Sequence, residues 1–293
     1  MRRRWPCCLQ GCERALQSLR TQSSAMQNYV LIMMDASLLQ IACKGADEHR
    51  STMQKIHVLL TKEELDDQRL DGRVVIVLDV LFATTSALAA LQAGASSVIP
   101  ALDAEHARRM ASELAVGSAI LSGELDAETL PGFAHPTPLA LLRHELQGRN
   151  LVYSTTNGTV ALRKALPAAH VYAASLRNAR ATIAHVLREH ARSTVLIVCA
   201  GSSEQFNLED FYGAGLLVSC LQQAPGQRSY SDAALAAALL QQGSDALRCL
   251  ADSRVGRLMA SRGLGAEVHY AAQIHVDSVV ARVVDGRLMR VAA

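Results

Sequence analysis

The chain has 293 residues, half of them hydrophobic, and a mean hydropathy of +0.13, so it is long enough to bury the core of one large domain or two small ones. Aromatic residues make up only 4% of the chain, which argues against an aromatic surface for stacking nucleic-acid bases. Residues 1–52 carry seven Lys and Arg against four Asp and Glu, whereas the remainder carries 22 against 23, so the main part has no basic excess and we expect no nucleic-acid binding.

Residues 1–52 differ in composition from the rest of the chain. The basic residues 2–4 resemble the start of a signal peptide, but no continuous apolar segment follows them. Met53 precedes an alternating strand pattern and resembles a natural protein start. We therefore predict that residues 1–52 form a disordered N-terminal extension without function and that residues 53–293 form one α/β domain. The alternative is a targeting or regulatory arm.

The cysteines of the main part, Cys199, Cys220 and Cys249, are widely spaced in apolar surroundings. Such a pattern is typical of reduced core residues, and it indicates a cytoplasmic protein. No apolar run reaches the roughly 18 residues that a membrane-spanning helix needs, so we expect no membrane partner.

From residue 55 onward, apolar patterns predict strands and helices in alternation. Arg73–Asp79 is a nearly continuous run of β-branched residues, as expected of a strand buried on both faces, and it opens a β-α-β unit typical of a parallel sheet. Strands are predicted at residues 55–60, 73–79, 97–100, 119–122, 150–154, 170–174 and 194–199. Helices are predicted at residues 84–93, 104–114, 139–146, 159–166, 180–190, 208–221 and 232–240, with more helix to about residue 261, and residues 279–291 around Asp285-Gly286 predict a hairpin.

The segment 152–159 is the one best suited to an anion. Its apolar strand ends in a run of hydroxyl, amide and glycine residues: Ser154, Thr155, Thr156, Asn157 and Gly158. A helical pattern then begins, and unpaired backbone N–H groups together with the helix dipole favour phosphate at such a point. The alternative is an ordinary Asn-Gly turn.

Two other predicted strands end in a similar way. Residues 74–79 are followed by Ala83-Thr84-Thr85, and residues 195–199 by Ala200-Gly201-Ser202-Ser203. Ligands of open α/β sheets bind beyond the carboxyl ends of the strands. We therefore predict that the three strand ends form one site.

Four carboxylates lie near these strand ends: Asp79, Glu124, Glu209 and Asp210. Oxygen ligands without thiolates or paired histidines suit Mg²⁺ and phosphate. A charge such as that of Asp79 after an apolar strand is costly unless it binds a metal or caps the next helix. Each carboxylate also has a plainer explanation, namely a helix N-cap for Asp79, a solvated turn residue for Glu124, and a helix first turn for the Glu209-Asp210 pair.

Six short motifs follow one another along the chain: Asp79-Val80-Leu81-x-Ala83-Thr84-Thr85, Gly123-Glu124, Thr155-Thr156-Asn157-Gly158-Thr159, Cys199-Ala200-Gly201, Glu209-Asp210 with Gly213-Ala214-Gly215, and Ser231-Asp232-Ala233-Ala234. In their order and spacing the chain resembles the 2-phosphosulfolactate phosphatases from about Lys55 to Asp277. The resemblance implies a cytoplasmic, Mg²⁺-dependent acid phosphatase with a three-layer α/β/α fold around a largely parallel mixed sheet. It also implies hydrolysis of 2-phospho-3-sulfolactate to 3-sulfolactate in coenzyme M synthesis.

The site that we predict on this basis assigns three roles. Asp79 and Glu124 hold Mg²⁺ together with Glu209 or Asp210, and Arg257 offsets the charge of a second acid group on the substrate. The phosphoryl oxygens are held by Thr84, Thr85, Ser154, Thr155, Thr156, Asn157 and the backbone N–H of Gly158. The sequence leaves open whether Asp79 is instead a nucleophile. The expected partner is a small anionic phosphorylated substrate, and the expected assembly is a homodimer.

The chain departs from the family pattern at several positions. The family motif D-V-L-R-A-T-T has Arg where this chain has Phe82, and G-E-R has Arg where it has Leu125. The family segment G-F-D-x-G-N-S-P appears as residues 132–138, one residue shorter and with Ala134 in place of Asp, and H-G-R appears as Val255-Gly256-Arg257. Losing two arginines should weaken binding of a doubly anionic substrate. The substrate then differs, or Arg257 and backbone N–H groups carry the anion, or the chain is a non-catalytic relative that binds a small anion.

Overall fold

The fold is described from a computed structural model of the chain, which covers residues 53–292. The predicted extension, residues 1–52, lies outside these described residues. Within residues 53–292, no helix is both long enough and apolar enough to cross a membrane.

The strands form one mixed sheet. They are β1 (Gln54–Leu59), β2 (Val74–Leu78), β3 (Ser97–Ala101), β4 (Ala119–Leu125), β5 (Glu128–Thr129), β6 (Asn150–Ser154), β7 (His170–Ala174), β8 (Val195–Cys199), β9 (Arg228–Tyr230), β10 (Val280–Val284) and β11 (Arg287–Val291). Their order across the sheet is β5-β4-β6-β3-β11-β10-β7-β2-β8-β1-β9. Most neighbours are parallel, and the antiparallel contacts are those of β5 and of the β10–β11 hairpin.

The hairpin divides the sheet into two parallel blocks. One block contains β4, β6 and β3, the other contains β7, β2, β8, β1 and β9, and β10 and β11 lie between them. Three antiparallel steps in succession separate the blocks, so their strands run in opposite directions. The predicted β-α-β unit therefore does not pair its own strands, because β7, β10 and β11 lie between β2 and β3.

The helices cover both faces of this sheet. They are α1 (Ala83–Gln92), α2 (Ala104–Ser112), α3 (Pro138–Leu141), α4 (Gly158–Lys164), α5 (Ala179–Glu189), α6 (Leu208–Gln223), α7 (Asp232–Gln242), α8 (Ala246–Asp252), α9 (Arg254–Ser261) and α10 (Gly265–Ala271), with 3₁₀ turns at Lys62–Glu64 and Asp67–Arg69. A sheet between two helical layers confirms the predicted three-layer α/β/α fold.

Alternation along β2 distributes its side chains between two cores. Ile76 and Leu78 pack with residues of α5, α6 and α7, whereas Val75 and Val77 pack with residues of α1 and α4. All of these β2 side chains are fully buried. Because both faces of the strand are covered, the strand is apolar throughout, as its continuous hydrophobic run predicts.

The C-terminal third differs most from the predicted elements. The hairpin is confirmed, with positive φ at Asp285 and Gly286 as a two-residue turn requires. The helix predicted at residues 232–240 corresponds to α7, and the further helix predicted to about residue 261 is two helices, because Ser253 ends α8 and caps α9 by accepting the Gly256 N–H at 2.9 Å. The helix predicted at residues 139–146 ends at Leu141, and α10 was not predicted.

Candidate active site

The ends of β2 and β6 meet although the two strands belong to opposite blocks. In a flat sheet their carboxyl ends would lie on opposite edges. Neighbouring strands twist by roughly 20–25°, and the five steps between β6 and β2 accumulate a twist on the order of 100°. Such a twist takes the two strands out of a strictly opposed arrangement, and the residues that follow them, Asp79 after β2 and Gly158 after β6, come into contact.

Gly158 marks the point of convergence. A Cβ placed on Gly158 would lie 2.6 Å from Oδ2 of Asp79 and closer still to the Cβ of Ala83. Only glycine lets the start of α4 approach the residue that ends β2. The close approach confirms that the two strand ends share one site.

These ends border a cavity of about 250 Å³. Of the predicted site residues, it is lined by Asp79, Glu124, Thr155, Thr156 and Asn157. Ser202 and Ser203, at the third predicted strand end, line it as well, and the wall also contains residues to which the sequence gives no such role: Phe82, His135, Thr137, Asn207 and Arg254. Thr84, Thr85, Ser154, Gly158, Glu209, Asp210 and Arg257 do not line it. The cavity thus combines two of the predicted carboxylates with a polar wall from other elements.

Asp79 is buried at the base of this site. Its Oδ1 accepts the backbone N–H of Ala83 at 3.2 Å. Burial is the main cause that raises the pKa of Asp79 to about 7; the Ala83 N–H acts against this rise, and the nearby charges of Glu124 and Glu209 contribute to it. A buried carboxylate with other negative charges nearby is suited to binding a cation.

Glu124 is positioned by Thr156. The Thr156 backbone N–H donates to Glu124 Oε1 at 2.7 Å, and the Thr156 hydroxyl lies 3.0 Å from Oε2. The Ala127 N–H donates to the same Oε2 at 2.7 Å. Thr156 therefore orients the Glu124 carboxylate, whereas the sequence assigns it to the phosphoryl oxygens of the substrate.

Three other predicted phosphate ligands form local bonds that the sequence does not reveal. The hydroxyl of Thr84 donates to the Asp79 carbonyl at 2.9 Å, and that of Thr85 donates to the Val80 carbonyl at 2.8 Å. The Thr155 hydroxyl accepts the Thr159 N–H, in the first turn of α4, at 3.1 Å. Thr84 and Thr85 are fully buried, so they stabilise the turns beside the site and do not reach its cavity.

Asn157 is oriented by Lys62, which has no role in the site predicted from the sequence. The Nζ of Lys62 donates to Oδ1 of Asn157 at 3.0 Å and forms an ion pair with Glu63 at 2.9 Å. Lys62 is largely buried. Lys62 lies in a short 3₁₀ turn after β1, and no ligand-binding motif marks it in the sequence. The fold alone brings it to the end of β6.

The adjacent acids Glu209 and Asp210 have different surroundings. Asp210 accepts the N–H groups of Val80 at 2.8 Å and Gly201 at 3.2 Å, so it joins the loops after β2 and β8. Glu209 is 1% exposed, and neither of its carboxylate oxygens has a hydrogen-bond partner among the described residues. Burial raises the pKa of both carboxyls. The Asp210 carboxylate is therefore used in hydrogen bonds that hold two loops together, whereas the Glu209 carboxylate accepts none from the described residues.

The carboxylates fit a loosely held Mg²⁺ better than a complete metal cage. Within residues 53–292, no three His, Cys, Asp or Glu side chains are grouped as a metal site. Mg²⁺ commonly keeps several waters and takes only one or two protein carboxylates together with substrate phosphate. Asp79 and Glu124 line the cavity together, so the number of carboxylates there matches that requirement.

Arg254 occupies the place predicted for Arg257. Arg257 is exposed, does not line the cavity, and donates to the carbonyl of Asp252. Arg254, nearly one turn earlier in α9, lines the cavity and donates to Ser202 and to Asn207 Oδ1. Among the described residues around this cavity, Arg254 is the sole Arg or Lys.

The two positions at which the family arginines are absent also differ. Phe82 is 9% exposed and forms part of the cavity wall. Leu125 is 60% exposed and lies outside the wall. The replacement at Phe82 therefore changes the cavity itself, whereas the replacement at Leu125 changes the surface.

Comparisons with known proteins agree on one family. A family model described as 2-phosphosulpholactate phosphatase matches residues 59–286. The chain is similar to a protein of Deinococcus radiodurans, with 34% identity over 73% of this chain and 88% of that protein. It is also similar to a protein of Carboxydothermus hydrogenoformans, with 32% identity over 80% of this chain and 96% of that protein. A protein of Symbiobacterium thermophilum is 43% identical over 52% of this chain and 64% of that protein. All three relatives are named probable 2-phosphosulfolactate phosphatases.

Proposed function

The chain belongs to the 2-phosphosulfolactate phosphatase family, and from that premise we propose that it is a Mg²⁺-dependent phosphatase acting on the phosphate monoester of a small hydroxy acid. The observation that carries the proposal is the shared cavity of Asp79, Glu124 and Arg254. Two carboxylates suit a hard cation, and a guanidinium suits the oxyanions of a substrate. The natural substrate of the family, with its sulfonate, is one member of this substrate class.

Asp79 and Glu124, the two carboxylates of the cavity wall that we predicted as ligands, are the residues that would hold Mg²⁺. When bound, the cation would offset negative charge on the phosphoryl oxygens. Thr156 keeps the Glu124 carboxylate in a fixed orientation through its two hydrogen bonds. The Ala83 N–H does the same for Asp79, so both carboxylates are oriented before a ligand arrives.

Arg254 is the residue that we assign to the acid group of the substrate. Its guanidinium is held at the cavity by Ser202 and Asn207, which also line it. With Phe82 in the wall in place of the family arginine, the cavity presents less positive charge than the family pattern implies. This supports a substrate with fewer or differently placed acid groups than 2-phospho-3-sulfolactate.

A second candidate is a non-catalytic relative that binds a small anion. The apolar Phe82 in the cavity wall favours it, because a family arginine is absent where a doubly charged substrate would need it. Both candidates predict anion binding, but only the phosphatase predicts turnover. The cytoplasmic location, the homodimer and a part in coenzyme M synthesis remain predictions.

The deciding experiment measures phosphate release from phosphorylated hydroxy acids, with and without a sulfonate, in Mg²⁺ and after chelation. We expect Mg²⁺-dependent turnover that Asp79→Asn abolishes. Asp71→Asn, at an exposed turn outside the cavity, is the matched control and should retain activity. Circular dichroism checks folding of each variant. Anion binding without turnover in the unchanged protein would support the binding protein and reject the phosphatase.

A further inference from the structure

Glu267 connects α10 with the N-terminus of α3. Its carboxylate is buried, and it accepts the backbone N–H groups of Leu139 at 2.8 Å and Ala140 at 3.2 Å. It also accepts the hydroxyl of Thr137 at 2.6 Å. Three donors satisfy one buried carboxylate, so the hydroxyl proton of Thr137 is directed toward Glu267.

This arrangement determines where the ring of His135 carries its proton. The Thr137 oxygen lies 2.9 Å from Nδ1 of His135. A hydroxyl has one proton, and since that proton goes to Glu267, its oxygen can only accept from His135. Nδ1 of His135 is therefore protonated and donates to Thr137.

Nε2 is consequently the nitrogen available for chemistry. His135 lines the cavity that also contains Asp79 and Glu124. Among residues 53–292, Nε2 of His135 has no hydrogen-bond partner. With Nδ1 already protonated, Nε2 accepts a proton in the neutral ring and donates one in the cationic ring. The ring is a proton carrier whose orientation is set by Thr137 and Glu267.

We propose that His135 is the general acid of the hydrolysis and that Thr137 is its positioning residue, an inference that rests on the proposed function. A water oxygen bonds to phosphorus as the ester P–O bond breaks, and the ester oxygen takes the Nε2 proton of the imidazolium. Both protons of the water stay on the product, which leaves as dihydrogen phosphate. The neutral imidazole then regains a proton from that phosphate or from solvent.

The leaving group explains why such an acid is useful. A hydroxy acid leaves as a strongly basic alkoxide unless its oxygen is protonated, and general acid catalysis contributes about 10²–10⁴-fold to such a step. His135 lies in the segment 132–138, where the chain departs from the family pattern. The family pattern has no counterpart of this role, which depends on the contacts of His135 in this chain.

The test compares two esters. His135→Gln should lower kcat at least about 100-fold for an alkyl phosphate of a hydroxy acid. It should lower kcat only a few-fold for p-nitrophenyl phosphate, whose leaving phenolate needs no proton. His144→Gln, an exposed histidine outside the cavity, is the control and should change neither rate.

Equal losses for the two esters, or no loss for the alkyl ester, would overturn the role of His135 while leaving the phosphatase intact. If the unchanged protein hydrolyses neither ester, the proposed function fails and the inference fails with it. Thr137→Val should reproduce the loss that is selective for the alkyl ester, and Thr137→Ser, which keeps the hydroxyl, should not. If the valine and serine variants behave alike, Thr137 does not position the acid.

Discussion

Thr156 donates its backbone N–H to Glu124 at 2.7 Å, and its hydroxyl lies 3.0 Å from the other oxygen of the same carboxylate. Both contacts hold one rotamer of a side chain that faces the cavity. Partners of this kind control the orientation of a metal ligand, and their loss typically costs about 10–100-fold in metal affinity or activity. The pair therefore provides a test of the proposed Mg²⁺ site that does not remove a ligand.

Thr156→Val should raise the Mg²⁺ concentration needed for half-maximal activity by about tenfold or more. The backbone N–H remains in this variant, so the carboxylate loses only one of its two contacts with Thr156. Thr156→Ser keeps the hydroxyl and should behave like the unchanged protein. Mg²⁺ titrations of activity and of binding heat measure the effect. An unchanged Mg²⁺ requirement in the valine variant would contradict the assignment of Glu124 as a ligand.

Gly158→Ala should destabilise the protein by about 1–3 kcal/mol, because the new Cβ would lie 2.6 Å from Asp79 Oδ2 and collide with Ala83. Relief of that contact must move α4 away from Asp79, so activity should fall as well. Gly265→Ala is the matched control, since a Cβ there has no neighbour within 4 Å. Urea unfolding of both variants measures the difference. Equal stability of the two would show that the close approach at Gly158 is not required.

Arg254→Gln should raise KM for a substrate with a second acid group by about tenfold. A hydrogen bond to a charged group contributes about 1.5–3 kcal/mol, and the exposure of Arg254 favours the lower end of that range. Arg257→Gln should change KM less than twofold, because Arg257 lies outside the cavity. Steady-state kinetics on the two variants decide between them. A larger rise in KM for Arg257→Gln than for Arg254→Gln would assign binding of the acid group to Arg257, as predicted from the sequence.

The sequence predicts the elements that local patterns determine. The apolar run 73–79 predicts a doubly buried strand, and Asp285-Gly286 predicts the hairpin turn; both are confirmed. The position of that hairpin between two parallel blocks depends on long-range packing and has no local signal. Fold class and the convergence of strand ends were therefore predictable, whereas the directions of the two blocks were not.

The candidate site shows the same division at the level of side chains. The motifs identify Asp79 and Glu124, and both line the cavity. The hydroxyl of Thr84 is equally visible in the sequence, but its bond to the Asp79 carbonyl is not. Arg254 and Arg257 lie in one helix, and only the position of that helix decides which of them reaches the cavity.

Stability should fall as the pH decreases from 6.5 toward 4, and His190 is one cause. Burial, together with the nearby charges of His170 and Arg282, lowers the pKa of His190 to about 4. The ring of His190 stacks on that of His170 with their centroids 4.0 Å apart, and its Nε2 lies 2.8 Å from the Tyr172 hydroxyl. Between the unfolded value near 6.5 and the folded value, the unfolded chain binds more protons, so protonation favours unfolding.

His190→Asn should therefore flatten the decrease in Tm between pH 7 and pH 5. His144→Asn is the control, because His144 is exposed and its side chain has no partner among the described residues; its Tm should follow that of the unchanged protein. Thermal unfolding at several pH values measures both. Parallel Tm profiles for the His190 variant and the unchanged protein would assign the acid sensitivity to other groups.

Phe82→Arg tests the difference between this cavity and the family pattern. Phe82 is 9% exposed in the cavity wall, so an arginine at this position should present a guanidinium to the ligand. We expect KM for a sulfonated phosphate ester to fall by about tenfold relative to an ester without the sulfonate, since each charge-assisted contact contributes about 1.5–3 kcal/mol. Leu125→Arg restores the other family arginine at a position that is 60% exposed and outside the wall, so it should leave this ratio unchanged. A change produced by Leu125→Arg and not by Phe82→Arg would place the selective contact outside the cavity and would contradict the proposed substrate orientation.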